Sequence, residues 1–203
     1  MQGSATRRCC TSYAWAFDGV AHNGILTLGD SKTVISFPNT WGATLTSALN
    51  VATSPTADWT RTDIAVSGQT AEWFADNIAS VLSPVTTGQS HVLFNMGVNS
   101  FGAAEADYKA DVLTIADAIH ARWPAAVIYM MRPWKRGFDA TADTHAGWIN
   151  DLVAAHTFIE LGPDERSWLK GADDGVTMTT DGIHYSTAGQ AECAAQWQTT
   201  LGY

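Results

Sequence analysis

The chain has 203 residues, a hydrophobic content of 46% and a formal net charge of −9. Its length and composition allow one full hydrophobic core, so one domain is expected, and they exclude disordered, collagen-like and coiled-coil chains. The excess of acidic side chains argues against nucleic acids and anionic membrane surfaces as partners, because both attract basic patches.

The start of the chain, residues 1–22, shows no clean hydrophobic period. We therefore predict an N-terminal arm over residues 1–22 and a single domain over residues 23–203. No apolar run approaches the roughly 20 residues that span a bilayer, and no early stretch has the roughly 7–15 apolar residues of a signal peptide. We expect a soluble chain, either cytoplasmic or secreted after removal of a signal peptide.

Five short apolar stretches predict β-strands, and amphipathic stretches between them predict α-helices. The predicted strands cover residues 25–28, 63–66, 91–96, 125–131 and 157–161. The helical stripes begin at Trp41, Phe74 and Tyr108, with a fourth helix over residues 144–155. A last helix is predicted to begin at Ser186 or Thr187, because Thr187 and Gln190 have the spacing of a capping box. Strands that alternate with helices predict a parallel α/β sheet covered on both faces.

The loops after the predicted strands carry the candidate functional residues. Right-handed crossovers place all strand-to-helix loops of such a sheet at one edge. Ser31, Gly68, Asn99 and Trp134 each follow a strand closely, so we expect them to cluster although they lie far apart in sequence. Ser31 follows the first strand, which is where α/β folds commonly place their chemistry.

A serine hydroxyl becomes a useful nucleophile when a base removes its proton and a third group orients that base. His184 is the candidate base, because Asp181 lies three residues before it and can hydrogen-bond its imidazole from a tight turn. His145 with Asp143 is the rival pair. We interpret that pair as the start of a helix, with Asp143 as its cap.

Acyl transfer also needs hydrogen-bond donors directed at the developing oxyanion. The candidates are the backbone N–H of Gly68, the side-chain amide of Asn99 and the backbone N–H of Ser31. Each feature alone is common in proteins, but all of them occur here after strands or near the C-terminal end of one α/β chain.

The candidate residues fall in four blocks of sequence: Gly29-Asp30-Ser31, then Gly68, then Gly97-Val98-Asn99, and finally Asp181-Gly182-Ile183-His184. In these blocks the chain resembles the SGNH hydrolases, also called the GDSL family, from the first block to the last helix. The resemblance implies a flavodoxin-like three-layer α/β/α sandwich with a central five-stranded parallel sheet in the order 2-1-3-4-5. It also implies that no metal or other cofactor is needed.

The resemblance assigns a role to each block. Ser31 would be the nucleophile, His184 the base and Asp181 its partner, with Gly68 and Asn99 in the oxyanion hole. The chain departs from the family pattern where Ser100 replaces an aspartate and where Lys32 replaces an apolar residue. Both positions are expected to border the site and to influence substrate preference.

Two other interpretations of the Ser31 segment are disfavoured. It superficially resembles a phosphate-binding loop, but Asp30 occupies the position of the phosphate-binding lysine. No Gly-x-Ser-x-Gly elbow surrounds Ser31, which argues against the larger α/β-hydrolase family. Cys9, Cys10 and Cys193 match neither a disulfide framework nor a metal-binding spacing, so free thiols are expected.

These features together predict a serine esterase that hydrolyses short-acyl esters, with carbohydrate O-acetyl groups as one substrate class. The alternatives are a thioesterase, lysophospholipase or acyltransferase with the same triad, and a non-catalytic flavodoxin-like binding module. Phe101, Arg132 and Trp134 are the candidate substrate contacts. The rings of Phe101, Trp134 and Trp168 either stack on a sugar or line a small acyl pocket, or they have the alternative role of covering the core. The oligomeric state stays open.

Overall fold

The central element of the fold is a parallel sheet. The computed structural model describes residues 21–34, 40–54, 56–171 and 175–203, so most of the predicted N-terminal arm lies outside the described residues. Five strands form the sheet: β1 (Ala21–Gly29), β2 (Ala57–Asp63), β3 (His91–Asn95), β4 (Val127–Arg132) and β5 (Ile159–Asp164). All neighbouring strands pair in parallel, in the order β2-β1-β3-β4-β5. The predicted fold class and strand order are therefore confirmed.

Helices cover both faces of the sheet. They are α1 (Trp41–Thr53), α2 (Ala71–Leu82), α3 (Glu105–Arg122), α4 (Asp139–Ala155), α5 (Glu165–Leu169) and α6 (Thr187–Thr200). One core lies between the sheet and α2, α3 and α4, and a second lies between the sheet and α1, α5 and α6. Each helix buries one apolar face, which is what the spacing of apolar residues by three and four predicts.

The boundaries of β1 and β2 differ from the sequence prediction, because the parts of these strands that were not predicted are mostly polar. β1 begins at Ala21, before the predicted domain start, and its first residues pair with β2. The second strand was predicted over residues 63–66, but β2 ends at Asp63 and is polar except for Ala57 and the buried Trp59. An edge strand buries little on its outer side, so its apolar signal is weak. The N–H of Ile64 and that of Val66 still donate to β1 carbonyls.

One helix start and one helix cap also differ from the prediction. α4 begins at Asp139, so Asp143 lies inside the helix, where it pairs with Arg166 instead of capping the chain at His145. α6 begins at Thr187, as predicted, but its cap is Ser186, whose Oγ accepts from the N–H of Gly189, and not a Thr187–Gln190 capping box.

The Gln190 side chain has a different partner from the predicted one. Its Oε1 accepts a hydrogen bond from the backbone N–H of Trp41 at 2.7 Å, which links α6 to the start of α1. Cys193 on α6 is a buried free thiol, whereas Cys9 and Cys10 lie outside the described residues. Within the part of the chain that the structure describes, no helix is both long and apolar enough to cross a membrane.

Candidate active site

The turn after β1 fixes the position of Ser31. A Cβ atom on Gly29 would lie 2.3 Å from the carbonyl oxygen of Asn95, so only glycine allows β1 and β3 to approach so closely here. The carbonyl oxygen of Asp30 accepts hydrogen bonds from the N–H groups of Thr33 and Val34 at 3.0 and 3.1 Å, which closes the turn. Ser31 is therefore held directly after the strand, as the sequence predicts.

The side chain of Asp30 stabilises this turn. Its carboxyl is fully buried, and its Oδ1 accepts a hydrogen bond from the N–H of Lys32 at 3.0 Å. Burial raises the pKa of Asp30 above its ordinary value, and the charge and N–H of Lys32 offset only part of that effect. The hydrogen bond from Lys32 indicates that Asp30 has a structural role, which is to stabilise the loop.

Ser31, His184 and Asp181 form one continuous chain of hydrogen bonds. His184 Nε2 lies 2.9 Å from Ser31 Oγ, and His184 Nδ1 lies 2.6 Å from Asp181 Oδ2. The Asp181 side chain is half exposed and that of His184 is nearly so, so the arrangement opens to solvent. This geometry allows the imidazole to accept the Ser31 proton while the carboxylate orients the ring.

Asp181 is held ionised by its own turn. Its Oδ1 accepts from the N–H of Ile183 at 2.9 Å and from the N–H of His184 at 2.8 Å. Partial burial acts to raise the pKa of Asp181, but the hydrogen bonds from His184 and Ile183 outweigh it and lower that pKa to about 2. Asp181 is therefore a carboxylate at neutral pH.

The loops after β2 and β3 meet across the end of β1. Gly68 adopts a positive φ of 76°, which favours glycine, and its N–H takes part in no hydrogen bond within the described residues. The Asn99 side-chain amide donates to the carbonyl oxygen of Gln69 at 3.1 Å. Since β2 and β3 flank β1, this bond places Gly68 and Asn99 beside the turn that carries Ser31.

Ser100, where the SGNH pattern that the chain resembles has an aspartate, links these two loops. Its buried Oγ accepts a hydrogen bond from the N–H of Ala71 at 2.9 Å, at the first residue of α2. A groove of about 560 Å³ starts at Asn99 and continues between the N-terminal ends of α2 and α3. Acidic side chains line it: Glu72, Asp107 and Asp111.

The predicted substrate contacts divide into accessible and buried residues. Phe101 is half-buried, packs against His145 and lines a cavity of about 260 Å³. Trp134 is fully buried and its Nε1–H donates to Asp139, so the expectation that its ring stacks on substrate is wrong. Arg132 is partly exposed but pairs with Asp164 at 3.6 Å, so its charge is already balanced.

Other aromatic and charged residues also cover the core. Trp168 is buried and packs against Tyr185, which fits its alternative role in the core. The expectation that Lys32 borders the site is wrong for its side chain: the ammonium group is buried and pairs with Glu165 at 2.5 Å. His145 is also buried, among the rings of Phe101, Tyr108 and Trp148.

Glu165 was not among the residues predicted from the sequence to lie at the site. This residue directly follows β5, so the rule that selected Ser31, Asn99 and Trp134 would have found it once β5 was placed three residues further along the chain. Among the residues that the structure describes, no group of three or more histidine, cysteine or acidic side chains could hold a metal ion.

Comparison with solved structures gives the fold a context. No protein-family model matches the sequence, and no curated protein matches it either. TesA is 17% identical over 89% of this chain and 98% of its own, with a TM-score of 0.72. The psychrotrophic esterase EstA from Pseudoalteromonas sp. is 16% identical over 88% of this chain and 96% of its own, with a TM-score of 0.71.

Axe2, an acetylxylan esterase from Geobacillus stearothermophilus, is 15% identical over 91% of this chain and 96% of its own, with a TM-score of 0.73. All three are SGNH hydrolases. The chain has the SGNH-hydrolase fold. In this chain the four sequence blocks lie on the loops at the carboxyl ends of β1, β2 and β3 and just before α6.

Proposed function

We propose that this chain is a serine esterase that hydrolyses short-acyl carboxylic esters through an acyl-enzyme on Ser31. The observation that carries the proposal is the hydrogen-bond chain from Asp181 through His184 to Ser31. A serine within 2.9 Å of a ring nitrogen whose other nitrogen meets a carboxylate has the geometry of an activated nucleophile.

In the acylation step His184 Nε2 accepts the proton of Ser31 as Oγ attacks the ester carbonyl carbon. The carbonyl oxygen becomes an oxyanion, for which the free N–H of Gly68, the second N–H of the Asn99 amide and the N–H of Ser31 are donors. His184 then gives the proton to the leaving alcohol oxygen as the C–O bond breaks. Ser31 carries the acyl group at that point.

In the deacylation step a water molecule replaces the alcohol. His184 accepts a proton from the water as its oxygen attacks the acyl carbon, and it returns that proton to Ser31 Oγ as the acid leaves. Because Asp181 stays ionised, it stabilises the imidazolium that forms in both steps. The exposure of His184 supports this cycle, since water reaches the base directly.

We place acetyl groups on carbohydrate as the substrate class. The groove beside Asn99 is polar, and its carboxylates are acceptors for sugar hydroxyl groups while they repel anionic alcohols. The neighbours Axe2 and EstA are an acetylxylan esterase and an esterase, which supports ester hydrolysis for the shared fold. The half-buried Phe101 offers a ring against which a sugar can pack.

The test is the initial rate of p-nitrophenyl acetate hydrolysis by wild type, Ser31→Ala and Ser47→Ala. Ser47 is an exposed serine on α1 and serves as the matched control. We expect Ser31→Ala to lower kcat by at least about 10³-fold, because both chemical steps need its hydroxyl, and Ser47→Ala to retain the wild-type rate. Equal rates in wild type and Ser31→Ala would remove Ser31 from the reaction.

A second assay addresses the substrate class and the acyl acceptor. We expect acetyl esters to be hydrolysed faster than esters of long acyl chains, and acetylated neutral sugars to release acetate. A preference for long acyl chains would overturn the short-acyl proposal. Added acceptor alcohol that diverts most of the acyl group from acetate to a new ester would identify a transferase with the same triad.

A further inference from the structure

A buried carboxylate beneath the site joins the two loops that carry Ser31 and His184. Glu165 is fully buried, and its Oε2 pairs with Lys32 Nζ at 2.5 Å. Its other oxygen, Oε1, accepts a hydrogen bond from the hydroxyl of Tyr185. Lys32 directly follows Ser31 and Tyr185 directly follows His184, so Glu165 contacts the neighbour of each.

The Lys32 end of this connection is fixed at several points. Lys32 Nζ also donates to the carbonyl oxygen of Trp134 at 2.9 Å, and its backbone carbonyl accepts from Trp41 Nε1 at 3.2 Å. The backbone N–H of Lys32 also donates a hydrogen bond to Asp30. The N–H, the carbonyl oxygen and the ammonium group of Lys32 are therefore all held by hydrogen bonds. Ser31 is therefore attached to a residue that has little freedom to move.

The Tyr185 end is equally buried. The Tyr185 ring packs against Trp168, and burial, with the charge of Glu165 beside it, raises the pKa of its hydroxyl. The hydroxyl therefore keeps the proton that it donates to Glu165. The N–H of Trp134 donates to Glu165 Oε2 at 2.6 Å, so the carboxylate also holds the loop after β4.

We infer that Glu165 is a positioning residue that sets the Ser31–His184 distance through Lys32 and Tyr185. The inference rests on the proposed function and adds residues that act through the triad without touching substrate. The bond between Ser31 and His184 is exposed to water, which competes for both partners. Glu165 is buried, so water does not compete for its bonds with Lys32 and Tyr185. These bonds can keep the two loops in place when the exposed bond between Ser31 and His184 opens.

The experiment is a cycle of variants assayed with p-nitrophenyl acetate. Tyr185→Phe keeps the ring and removes only the hydroxyl that meets Glu165. Lys32→Met with Glu165→Leu removes both buried charges and keeps apolar volume, an exchange that proteins commonly tolerate. The third variant combines all three substitutions. Ile119→Val, in the other core of the molecule, is the control for a small loss of stability.

We expect Tyr185→Phe to lower kcat by about 10-fold with little change in KM, because misplaced reacting groups slow chemistry more than binding. In the Lys32→Met/Glu165→Leu background, the same Tyr185→Phe change is expected to have no further effect on kcat. Ile119→Val is expected to keep the wild-type kcat. The inference would be overturned if Tyr185→Phe had the wild-type kcat. It would also be overturned if Tyr185→Phe lowered kcat by the same factor in wild type and in the Lys32→Met/Glu165→Leu background.

Nitrogen-15 NMR of the His184 ring tests the same inference without turnover. In the wild-type background, Ser31→Ala is expected to shift the Nε2 resonance, because it removes the hydroxyl partner. In the Tyr185→Phe background that shift is expected to shrink. An undiminished shift contradicts positioning by Glu165, whereas absence of esterase activity in the wild type contradicts only the proposed function.

Discussion

The triad and the buried connection beneath it use the same chemistry in opposite surroundings. In the triad, Asp181 accepts a hydrogen bond from the exposed His184. Beneath it, Glu165 accepts hydrogen bonds from Lys32 and Tyr185, where all three side chains are buried. An exposed charge interaction is screened by water, whereas a buried charge without its partner is strongly unfavourable.

The comparison teaches that the exposed residues contribute to activity with little effect on stability, whereas the buried residues beside them contribute to stability as well as to the positions of Ser31 and His184. Loss of a triad residue is expected to leave the fold intact, because water replaces the lost partner. Loss of a residue in the buried connection is expected to destabilise the fold, because water cannot enter to replace it.

The largest expected effect on stability is that of Lys32→Met alone. It leaves the Glu165 carboxylate buried without its cation, which is expected to lower the free energy of unfolding by about 3–5 kcal/mol. Lys109→Met is the matched control, because Lys109 pairs with Glu105 and Asp151 at the surface. Its expected cost is much smaller, because water screens a pair at the surface and replaces the lost partner. Urea denaturation of the two variants measures both values, and equal losses would erase the distinction.

Asn99→Ala is expected to have the reverse profile. Removal of its amide should lower kcat by about 10²-fold, since one oxyanion donor is lost. The side chain is exposed, and its bond to Gln69 is the contact that the substitution removes from the folded state. We expect the urea midpoint to change little. A variant with wild-type turnover of p-nitrophenyl acetate would place Asn99 outside the oxyanion hole.

The exposed part of the site was largely predictable from sequence, and the buried part was not. Ser31, Gly68 and Asn99 follow strands, and the apolar strands β1 and β3 are visible in the sequence as short runs between glycine or polar residues. His184 and Asp181 lie close together in sequence, so local turn geometry brings them into contact. Short-range patterns of this kind can be read without the fold.

The buried connection depends on contacts that the sequence does not reveal. Lys32 and Glu165 are 133 positions apart, and they meet only because β5 ends beside β4 at the same edge of the sheet as β1. A lysine directly after Ser31 looks like a surface residue, since lysines are rarely buried unless paired. Trp134 likewise follows a strand, but its indole turns inward to Asp139.

A smaller effect concerns two histidines away from the triad, the buried His145 and the partly buried His91. Burial lowers the pKa of His91 and that of His145 to about 4. An unfolded histidine takes up its proton near pH 6.5, so the unfolded chain binds more protons between about pH 6.5 and pH 4. The contribution of the two neutral histidines to the free energy of unfolding is therefore fully present above about pH 6.5, and it is lost as the pH falls toward 4.

When the pH falls from 7 to 5, we expect each of these histidines to lower the free energy of unfolding by about 1–2 kcal/mol. His145→Phe keeps an aromatic ring among Phe101, Tyr108 and Trp148 and removes the titrating group. Urea titrations at the two pH values should show a smaller difference for this variant than for wild type. An identical difference would mean that His145 binds its proton equally well in both states.

The smallest expected effect concerns the acidic groove beside Asn99. Burial and the nearby charges of Glu72, Asp107 and Asp76 raise the pKa of Asp111, which shows that negative charge is concentrated there. Glu72→Gln removes one of these charges without shortening the side chain. We expect it to lower KM a few-fold for an acetate ester of an anionic alcohol and to leave KM for a neutral sugar acetate unchanged.

The effect should be small because the charges of the groove face solvent and are screened. For the same reason, added salt at about 0.5 M should reduce the difference between the two esters in wild type and nearly remove the effect of Glu72→Gln. A Glu72→Gln effect that is equal for both esters would indicate a change in groove shape instead of charge. This contrast separates recognition at the exposed groove, which salt weakens, from the buried Lys32–Glu165 pair, which salt does not reach.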